Sequence, residues 1–339
     1  MSAVPALALR HWRDWQSVAY LLAAPGLVVW QWRFGFNMLL YAALLFLTLG
    51  IGVIHHNHAH LRMWHGRYAR WANRLTDYVI TVWQGHPTFV FWPAHGANHH
   101  RYKHGEQDAA RTYRFGGDTN DLKGYLLHPL QAVWVLFPLF FQWLVRMHRN
   151  HPGVWRYCVG QYAAWLSAWA VLLMLDPWKA TVFVILPQLH GLHWLLATNY
   201  LQHAHANGAA NRHMDYARNF EGAVNPLLFN IGLHTAHHES PRSHWSALTQ
   251  LHKFTYRAQV PPALNERGLL RYMARVFVGS LFIKQWRSRS LMMATNRTEP
   301  LPLAHPASTT RADQMACPTP ARQDGALERA PECSRSRSM

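Results

Sequence analysis

Apolar runs alternate with basic, histidine-rich stretches along the chain. A membrane-spanning helix needs about 20 mainly apolar residues, and five runs approach that length. These runs cover residues 17–32, 37–54, 130–145, 159–175 and 180–198. The pattern predicts a helical membrane protein whose polar segments lie at the ends of its spans.

The number of crossings decides where the histidine-rich stretches lie. They share one face of the membrane only if an even number of spans separates them. The run 130–145 is followed by Arg146, Arg149 and Arg156, and such a positive flank is typical of the cytoplasmic side. We therefore assign this run to the membrane interface, as we do the aromatic and interrupted segment 77–93.

The resulting prediction is an all-α membrane protein with four transmembrane helices in two hairpins. One or two interfacial helices and a cytoplasmic helical cap, which holds the histidine-rich stretches, complete the fold. Both termini then lie on the cytoplasmic side. Residues 1–293 form this membrane domain, whereas 294–339 are rich in Pro, Ser, Thr and Arg without an apolar period and are predicted to be disordered.

Composition supports the membrane assignment. Charged residues make up 14% of the 339 residues and hydrophobic residues 50%, whereas soluble domains carry about 25% charged residues. The formal net charge of +17 is compatible with a nucleic-acid partner, but no zinc finger, RNP sequence or basic helical repeat accompanies it. Because the basic residues flank the apolar runs, the sequence predicts a membrane partner and no nucleic acid.

Cysteine usage limits the kinds of metal site that the chain can build. Cys158, Cys317 and Cys333 form neither a CxxC pair nor an even framework, so disulfides and thiolate metal sites are not expected. The chain contains 25 His. A metal site here must therefore rely on imidazole.

Histidines recur in three clusters at helical spacing. His234 is followed by two adjacent histidines three and four residues later, a spacing at which side chains share a helix face. Adjacent side chains on a helix point about 100° apart, so such a pair suits two different metals better than one. The clusters comprise His56 and His60, then His95, His99 and His100, then His234, His237 and His238.

These clusters, read as HHNHAH, HGANHH and HTAHHE with a following HW, resemble the three histidine boxes of the membrane fatty acid desaturase family. The family also uses a lone histidine four residues after an asparagine, and Asn199 and His203 fit that motif. The resemblance implies four spanning helices, a cytosolic cap and a di-iron centre held by nine histidines. Carried over, the metal ligands are His56, His60, His95, His99, His100, His203, His234, His237 and His238.

Some positions stay open in this comparison. His55 or His58 can replace a ligand of the first box, and His205 can replace His203. Carboxylates close to the boxes are expected to orient the imidazoles and to offset the metal charge. The candidates are Glu106, Asp108, Asp118, Asp121, Asp215, Glu221 and Glu239.

The resemblance implies an oxidoreductase that uses O2 to remove two hydrogens from a lipid acyl chain and form a C=C bond. It also implies two iron ions and an external electron donor such as ferredoxin or cytochrome b5. A di-iron hydroxylase or ketolase acting on a lipid, alkane or carotenoid uses the same boxes and is the alternative enzyme. Outside enzymes, a histidine-rich metal transporter or a haem-binding membrane protein is the alternative. His190 and His193 lie inside the last apolar run, where a histidine either has a functional role or makes a helix-to-helix hydrogen bond.

Overall fold

Long helices dominate the protein, whose computed structural model describes residues 5–208 and 214–292. The predicted tail and its boundary with the membrane domain lie outside the described residues. The long helices are α1 (Trp15–Phe34), α2 (Met38–His60), α3 (Ala69–Gln84), α6 (Leu122–Asn150), α7 (Pro152–Leu175) and α9 (Leu186–His203). The short ones are α4 (Trp92–Ala94), α5 (His100–Tyr102), α8 (Pro177–Ala180), α10 (Val224–Leu227), α11 (His234–Glu239), α12 (Leu248–Leu251), α13 (Leu269–Met273) and α14 (Ser280–Phe282).

Wider and tighter helical turns connect these elements. π-helical turns occur at His95–His99, Thr181–Ile185, His252–Tyr256 and Ala274–Gly279. The turn at Thr181–Ile185 joins α8 to α9, so that Pro177–His203 runs as one helical stretch. Short 3-10 turns occur at Trp12–Asp14, Thr88–Phe91, Trp245–Ala247, Pro262–Leu264 and Lys284–Trp286.

Local sequence sets where the long helices begin. The Asn37 side chain accepts hydrogen bonds from the backbone N–H groups of Leu39 and Leu40 at 3.1 Å and so caps α2. Gly35, which separates α1 from α2, has a φ of 94°, a conformation that costs glycine little. Asp121 caps α6 through the N–H of Gly124 at 2.7 Å.

Four helical stretches are long and apolar enough to cross a membrane: Met38–His60, Leu122–Asn150, Pro152–Leu175 and Pro177–His203. Four candidate spans are found, as predicted, but one of the four differs from the predicted set, and the assignment of 130–145 to the interface and of 17–32 to a span stays a prediction. The run 130–145, which we assigned to the interface, lies within the 29-residue α6. This helix is longer than the run because it also includes polar residues at both ends. The run 17–32 lies in the 20-residue α1, which is outside this set because its Trp, Gln and Pro residues dilute the apolar ones.

The remaining parts of the predicted architecture stay predictions: the two hairpins, the interfacial helices and the cytoplasmic cap. The segment 77–93 is divided. Its first half belongs to α3, which ends where Gly85 adopts a φ of 73°, and its second half forms the turn Thr88–Phe91 and the start of α4.

The largest core lies where α2 meets α1, α3 and α9. Leu44, Ile51, Ile54 and Ile80 are almost fully buried there, together with Phe229 from a later loop. The α2 and α9 backbones approach closely because Gly191 has no side chain. A Cβ atom at that position would lie 3.0 Å from the Thr48 carbonyl oxygen.

Two pairs of very short strands fasten the polar segments. Strand β1 (Ala8–Leu9) pairs antiparallel with β2 (Trp64–His65), with Ala8 opposite His65. Strand β3 (Asn219–Phe220) pairs parallel with β4 (Asn265–Glu266), with Asn219 opposite Asn265. These pairs join the N-terminal segment to the loop after α2, and the segment after α9 to the C-terminal part of the described chain.

Candidate metal centre

Nine histidine side chains converge into two adjoining groups that could each hold a metal ion. Within each group the ligand atoms all lie within 4.8 Å of one another. The nine are the same nine that the resemblance singled out, and they come from four separate parts of the chain. The five-His group comprises His56, His60, His95, His100 and His237, and the four-His group comprises His99, His203, His234 and His238.

The helical geometry of each segment explains how its histidines are distributed. His56 and His60 lie one α-helical turn apart at the end of α2, and both enter the five-His group. The second cluster lies on the π turn His95–His99. A π turn aligns positions five residues apart, which brings His95 and His100 into the same group.

Adjacent histidines enter different groups. His99 belongs to the four-His group and His100 to the five-His group, and His238 and His237 divide in the same way. The separation follows from the angle of about 100° between neighbouring side chains on a helix. The expectation that an adjacent pair serves two centres is therefore met by the geometry.

The ring nitrogens are spaced as ligands of a common ion would be. The Nε2 atom of His95 lies 2.9 Å from that of His60 and 3.1 Å from that of His100. Two ligands at right angles around a metal, each at about 2.1 Å, lie about 3.0 Å apart. In the four-His group, the Nε2 atom of His234 lies 3.0 Å from those of His203 and His238.

Hydrogen bonding between the rings cannot account for this packing. A neutral imidazole carries one N–H and one acceptor nitrogen. The Nε2 atoms of His95, His100 and His234 each face two other Nε2 atoms, so one proton per ring cannot satisfy every contact. A cation at the centre of each group satisfies all the lone pairs together, and the donor set fits such an ion.

Burial keeps these rings in the form that binds metals. Desolvation, reinforced by neighbouring imidazoles, lowers the pKa of His95, His100, His234, His237 and His238 well below 6.5. The rings are therefore neutral at physiological pH. Neutral imidazole is the metal-ligating form.

Outer partners orient three of the rings. The Nδ1 atom of His99 lies 2.7 Å from the Asp108 carboxylate, which is fully buried. The Nδ1 atom of His203 donates to the Tyr216 carbonyl oxygen at 2.8 Å, and that of His56 lies 3.3 Å from the Asn57 side-chain oxygen. Each contact occupies Nδ1 and directs Nε2 towards its group, as outer partners of metal-binding histidines do.

The Asp108 carboxylate is held by more than one segment. Its oxygens also accept the backbone N–H groups of His104 and Ala110, both at 2.8 Å. Burial by itself raises the pKa of Asp108, but the charge and hydrogen bond of His99 and the N–H of Ala110 outweigh it, so that the pKa falls below its usual value. The carboxylate remains ionised and supplies negative charge beside the four-His group.

Of the seven acidic residues predicted to support the site, Asp108 contacts a ring of the two groups, and the others have different partners. Glu239 accepts from Lys103 Nζ at 2.6 Å and from the Tyr216 hydroxyl. Glu221 pairs with Arg257 at 3.0 Å. The remaining contacts are those of Asp118 with the backbone N–H of His205, Asp121 with Gly124 and Asp215 with Asn207, while the backbone carbonyl of Glu106 accepts from Arg111.

The alternative ligands lie outside both groups. His55 Nε2 is 3.4 Å from the Thr88 carbonyl oxygen, and His58 Nε2 is 3.6 Å from Asp77. The ring of His205 contacts Ser288 and the Asp118 carbonyl oxygen.

The two histidines inside the last apolar run connect helices. His190 Nδ1 lies 3.3 Å from the Thr48 hydroxyl of α2. His193 Nε2 lies 3.2 Å from the Leu126 carbonyl oxygen of α6. Of the two interpretations of this pair, helix-to-helix hydrogen bonding is the one that the contacts support.

One buried network beside the site was not predicted from the sequence. Asp77 is 2% exposed and binds Arg62 Nη1 through both carboxylate oxygens at 2.6 and 2.7 Å. It also accepts from the Tyr157 hydroxyl at 2.6 Å and from the Thr88 hydroxyl at 3.1 Å. Asp77 lies in an amphipathic helix, fifteen residues after Arg62. No sequence pattern connects the two residues, so the pair could not be predicted.

One cavity adjoins the five-His group, and a second lies beside the last turns of α9. The first has about 430 Å³ of open space and is lined by His60 and His237 together with Asp14, Asn57 and Trp245. The other has about 350 Å³ and is mainly apolar. Its lining includes Trp194, Gln202, Phe220, Leu228 and Leu269.

The family model described as fatty acid desaturase matches residues 30–269, which is well over half of the chain. This protein belongs to the fatty acid desaturase family. Membership makes it an oxidoreductase of the desaturase or oxygenase type, in a membrane and lipid context, with histidine groups suited to iron. No curated protein is detectably similar to the chain.

Proposed function

We propose that this desaturase-family protein introduces a C=C bond into a lipid acyl chain, using O2 and a di-iron centre held by the nine histidines. The observation that carries the proposal is the separation of nine buried or half-buried imidazoles into adjoining groups of five and four. A single catalytic zinc has three protein ligands and an open position, so two groups of this size suit a bimetallic centre better. Bound iron would supply the O2-derived oxidant that unactivated CH2 groups require.

The chain's own residues would hold that oxidant in place and keep water from it. Eight of the nine ligands are contributed by three box segments, and His203 joins them from the end of α9. The outer contacts of His99, His203 and His56 fix which ring nitrogen faces inward. The cavity bordered by His60 and His237 reaches the five-His group and is where we place the reacting carbons.

The location of the site at the ends of helices favours an enzyme over a transporter. A transporter places its ligands near the middle of the bilayer, whereas His60 and His203 are the last residues of two candidate spans. We propose that the histidine groups and both termini face the cytoplasm, where reduced ferredoxin or cytochrome b5 would deliver electrons. The proposal also takes residues 1–293 as the catalytic domain.

Lipid product analysis tests the reaction. The full-length chain is expressed in a host that contains defined acyl lipids, and the lipids are examined by mass spectrometry. Desaturation predicts products that have lost two hydrogens, and it predicts two irons per purified chain, one for each histidine group. A product that gains one oxygen instead would contradict desaturation and favour the hydroxylase or ketolase.

Two matched variants compare a histidine inside the five-His group with a histidine outside both groups. His237→Ala removes one ring of the five-His group and should abolish product formation. His148→Ala removes an exposed histidine at the end of α6 and should leave product formation unchanged. Ion movement by a stable metal-free protein would argue for transport.

A further inference from the structure

The C-terminal part of the described chain carries an amphipathic helical segment whose apolar face points outward. The 269–282 segment consists of α13, the π turn Ala274–Gly279 and α14. Its inner face buries Tyr272, Val276 and Phe277, which pack with Leu201 and Phe220. The segment is therefore anchored to the body of the protein through one side only.

Four large apolar side chains line the outer face. Leu270 is 64% exposed, Val278 55%, Leu281 72% and Phe282 83%. With the exposed Ala274 between them, Leu270, Val278 and Leu281 follow one another at three- or four-residue intervals and form a single stripe, which Phe282 widens at its end. A contiguous exposed apolar stripe of this kind marks a surface that another apolar phase covers.

Cationic side chains flank the stripe at both ends. Arg267 and Arg271 lie at its start, and Lys284, Arg287 and Arg289 follow its end, and all five are exposed. None of them has an acidic partner within the described residues. Arg275 differs from these five, because it forms an ion pair with Glu266 at 2.6 Å. Residues 266–289 therefore carry six basic residues and one acidic residue in total.

The position of the segment matches the level at which candidate spans end. Tyr125, in the first turn of α6, and Leu201, in the last turn of α9, both belong to the apolar cluster under the segment. On the outer surface of α6, Leu126 and Leu130 are exposed and extend the apolar surface along a candidate span. The stripe is thus beside the ends of two helices that are apolar enough to cross the membrane.

We propose that the 269–282 segment lies in the plane of the membrane interface and binds anionic phospholipids. Its stripe would enter the boundary between headgroups and acyl chains, and the flanking cations would contact lipid phosphates. An acidic soluble protein would satisfy the cations, but it would leave the hydrocarbon of the stripe in water. A lipid surface satisfies both features, and the inference does not depend on the reaction that the histidine groups support.

Environment-sensitive fluorescence tests the placement. A fluorophore is attached at Leu281→Cys in full-length protein whose three native cysteines are replaced, and the protein is reconstituted in nanodiscs. The emission should shift to the blue and be quenched by spin-labelled lipid. The same fluorophore at Gln107→Cys, an exposed position in the loop after the second box, should show neither effect.

Lipid competition tests the charge. In nanodiscs that mix phosphatidylglycerol with phosphatidylcholine, the wild-type protein should retain phosphatidylglycerol preferentially. Each arginine removed should reduce this preference about fivefold, since one cation near an anionic surface contributes about that factor. Arg267→Gln with Arg271→Gln is compared with Arg101→Gln with Arg242→Gln, which removes two exposed charges elsewhere.

The outcomes discriminate between lipid and other occupants. Equal retention of both lipids by the wild type, or equal losses in the two double variants, would overturn the anionic-lipid assignment. A blue shift that depends on protein concentration and accompanies crosslinking through position 281 would show a second copy on the stripe instead. Loss of the shift on adding an acidic soluble protein would assign the surface to that partner.

Discussion

Asp108→Asn should loosen one of the two metals and leave the other in place. In the wild type, the carboxylate accepts from His99 Nδ1 at 2.7 Å and from the backbone N–H groups of His104 and Ala110 at 2.8 Å. The amide that replaces it has one accepting oxygen and no charge. Whichever way it is turned, its NH2 group faces at least one of these donors.

The magnitude follows from that loss. A hydrogen bond to a charged group contributes about 1.5–3 kcal/mol, which corresponds to roughly a 10- to 100-fold change in a binding constant. Removal of an outer partner of a metal ligand typically costs about 10- to 100-fold in metal affinity, so the two routes agree. Because His99 belongs to the four-His group, the effect should be confined to that group.

A chelator challenge measures this loss of metal affinity. Iron released from purified protein is followed with time, and the variant should release one of its two irons faster while the second is held as in the wild type. Asp121→Asn is the matched control, because Asp121 caps α6 and Asn caps helices equally well. If Asp108→Asn held both irons normally, or lost both at the same rate, the role given to the Asp108 carboxylate would be wrong.

Three further predictions follow from buried contacts. Asp77→Asn should lower the free energy of unfolding by about 1.5–3 kcal/mol, the usual contribution of hydrogen bonds to a charged group, because the partner Arg62 keeps 30% of its side chain exposed. Asp176→Asn at an exposed pair should cost under about 1 kcal/mol, and equal thermal shifts would contradict this. Tyr216→Phe removes the hydroxyl contact to Glu239 but keeps the carbonyl that orients His203, so the electronic spectrum of the iron-loaded protein should change less than in Asp108→Asn. Burial lowers the pKa of His104 to about 3, so the unfolded state takes up a proton at this residue below pH 6.5 that the folded state does not, and His104 should contribute about 2 kcal/mol to the loss of stability between pH 7 and pH 5. His104→Phe should make the loss of stability smaller by that amount in denaturation curves recorded across this pH range, and an unchanged slope would refute the assignment.

Which histidines lie together could be predicted because that information is local. Spacings of three, four and five residues fix which rings share a helix face, and the box at His234 already indicates that His237 and His238 diverge. The choice of His56 over His55 needed the family resemblance, since both lie at the end of the same helix. In the structure the His55 ring lies outside both groups and contacts the Thr88 carbonyl oxygen, which is distant in sequence.

The spans were predicted from parity and flanking charge, whereas helix length and composition alone select a partly different set. The arginines after residue 145 favour an interfacial position for that run, and α6 extends to Asn150 and carries Arg146 and Arg149 in its last turns. The π turn at His95–His99 could not be predicted either, because no residue pattern distinguishes a π turn from an α-helical turn. Long-range partners such as Asp77 with Tyr157 depend on packing between α3 and α7, which the sequence does not encode locally.

The division of adjacent histidines has a consequence for how the protein can change. His99 with His100, and His237 with His238, tie the two groups to the same short backbone segments. A rotation or slide of either segment must displace ligands of both groups at once. The spacing between the two groups is therefore set by the dimensions of a helical turn, and mutations elsewhere can alter the surrounding cavity without changing the spacing that the proposed two-metal chemistry would require.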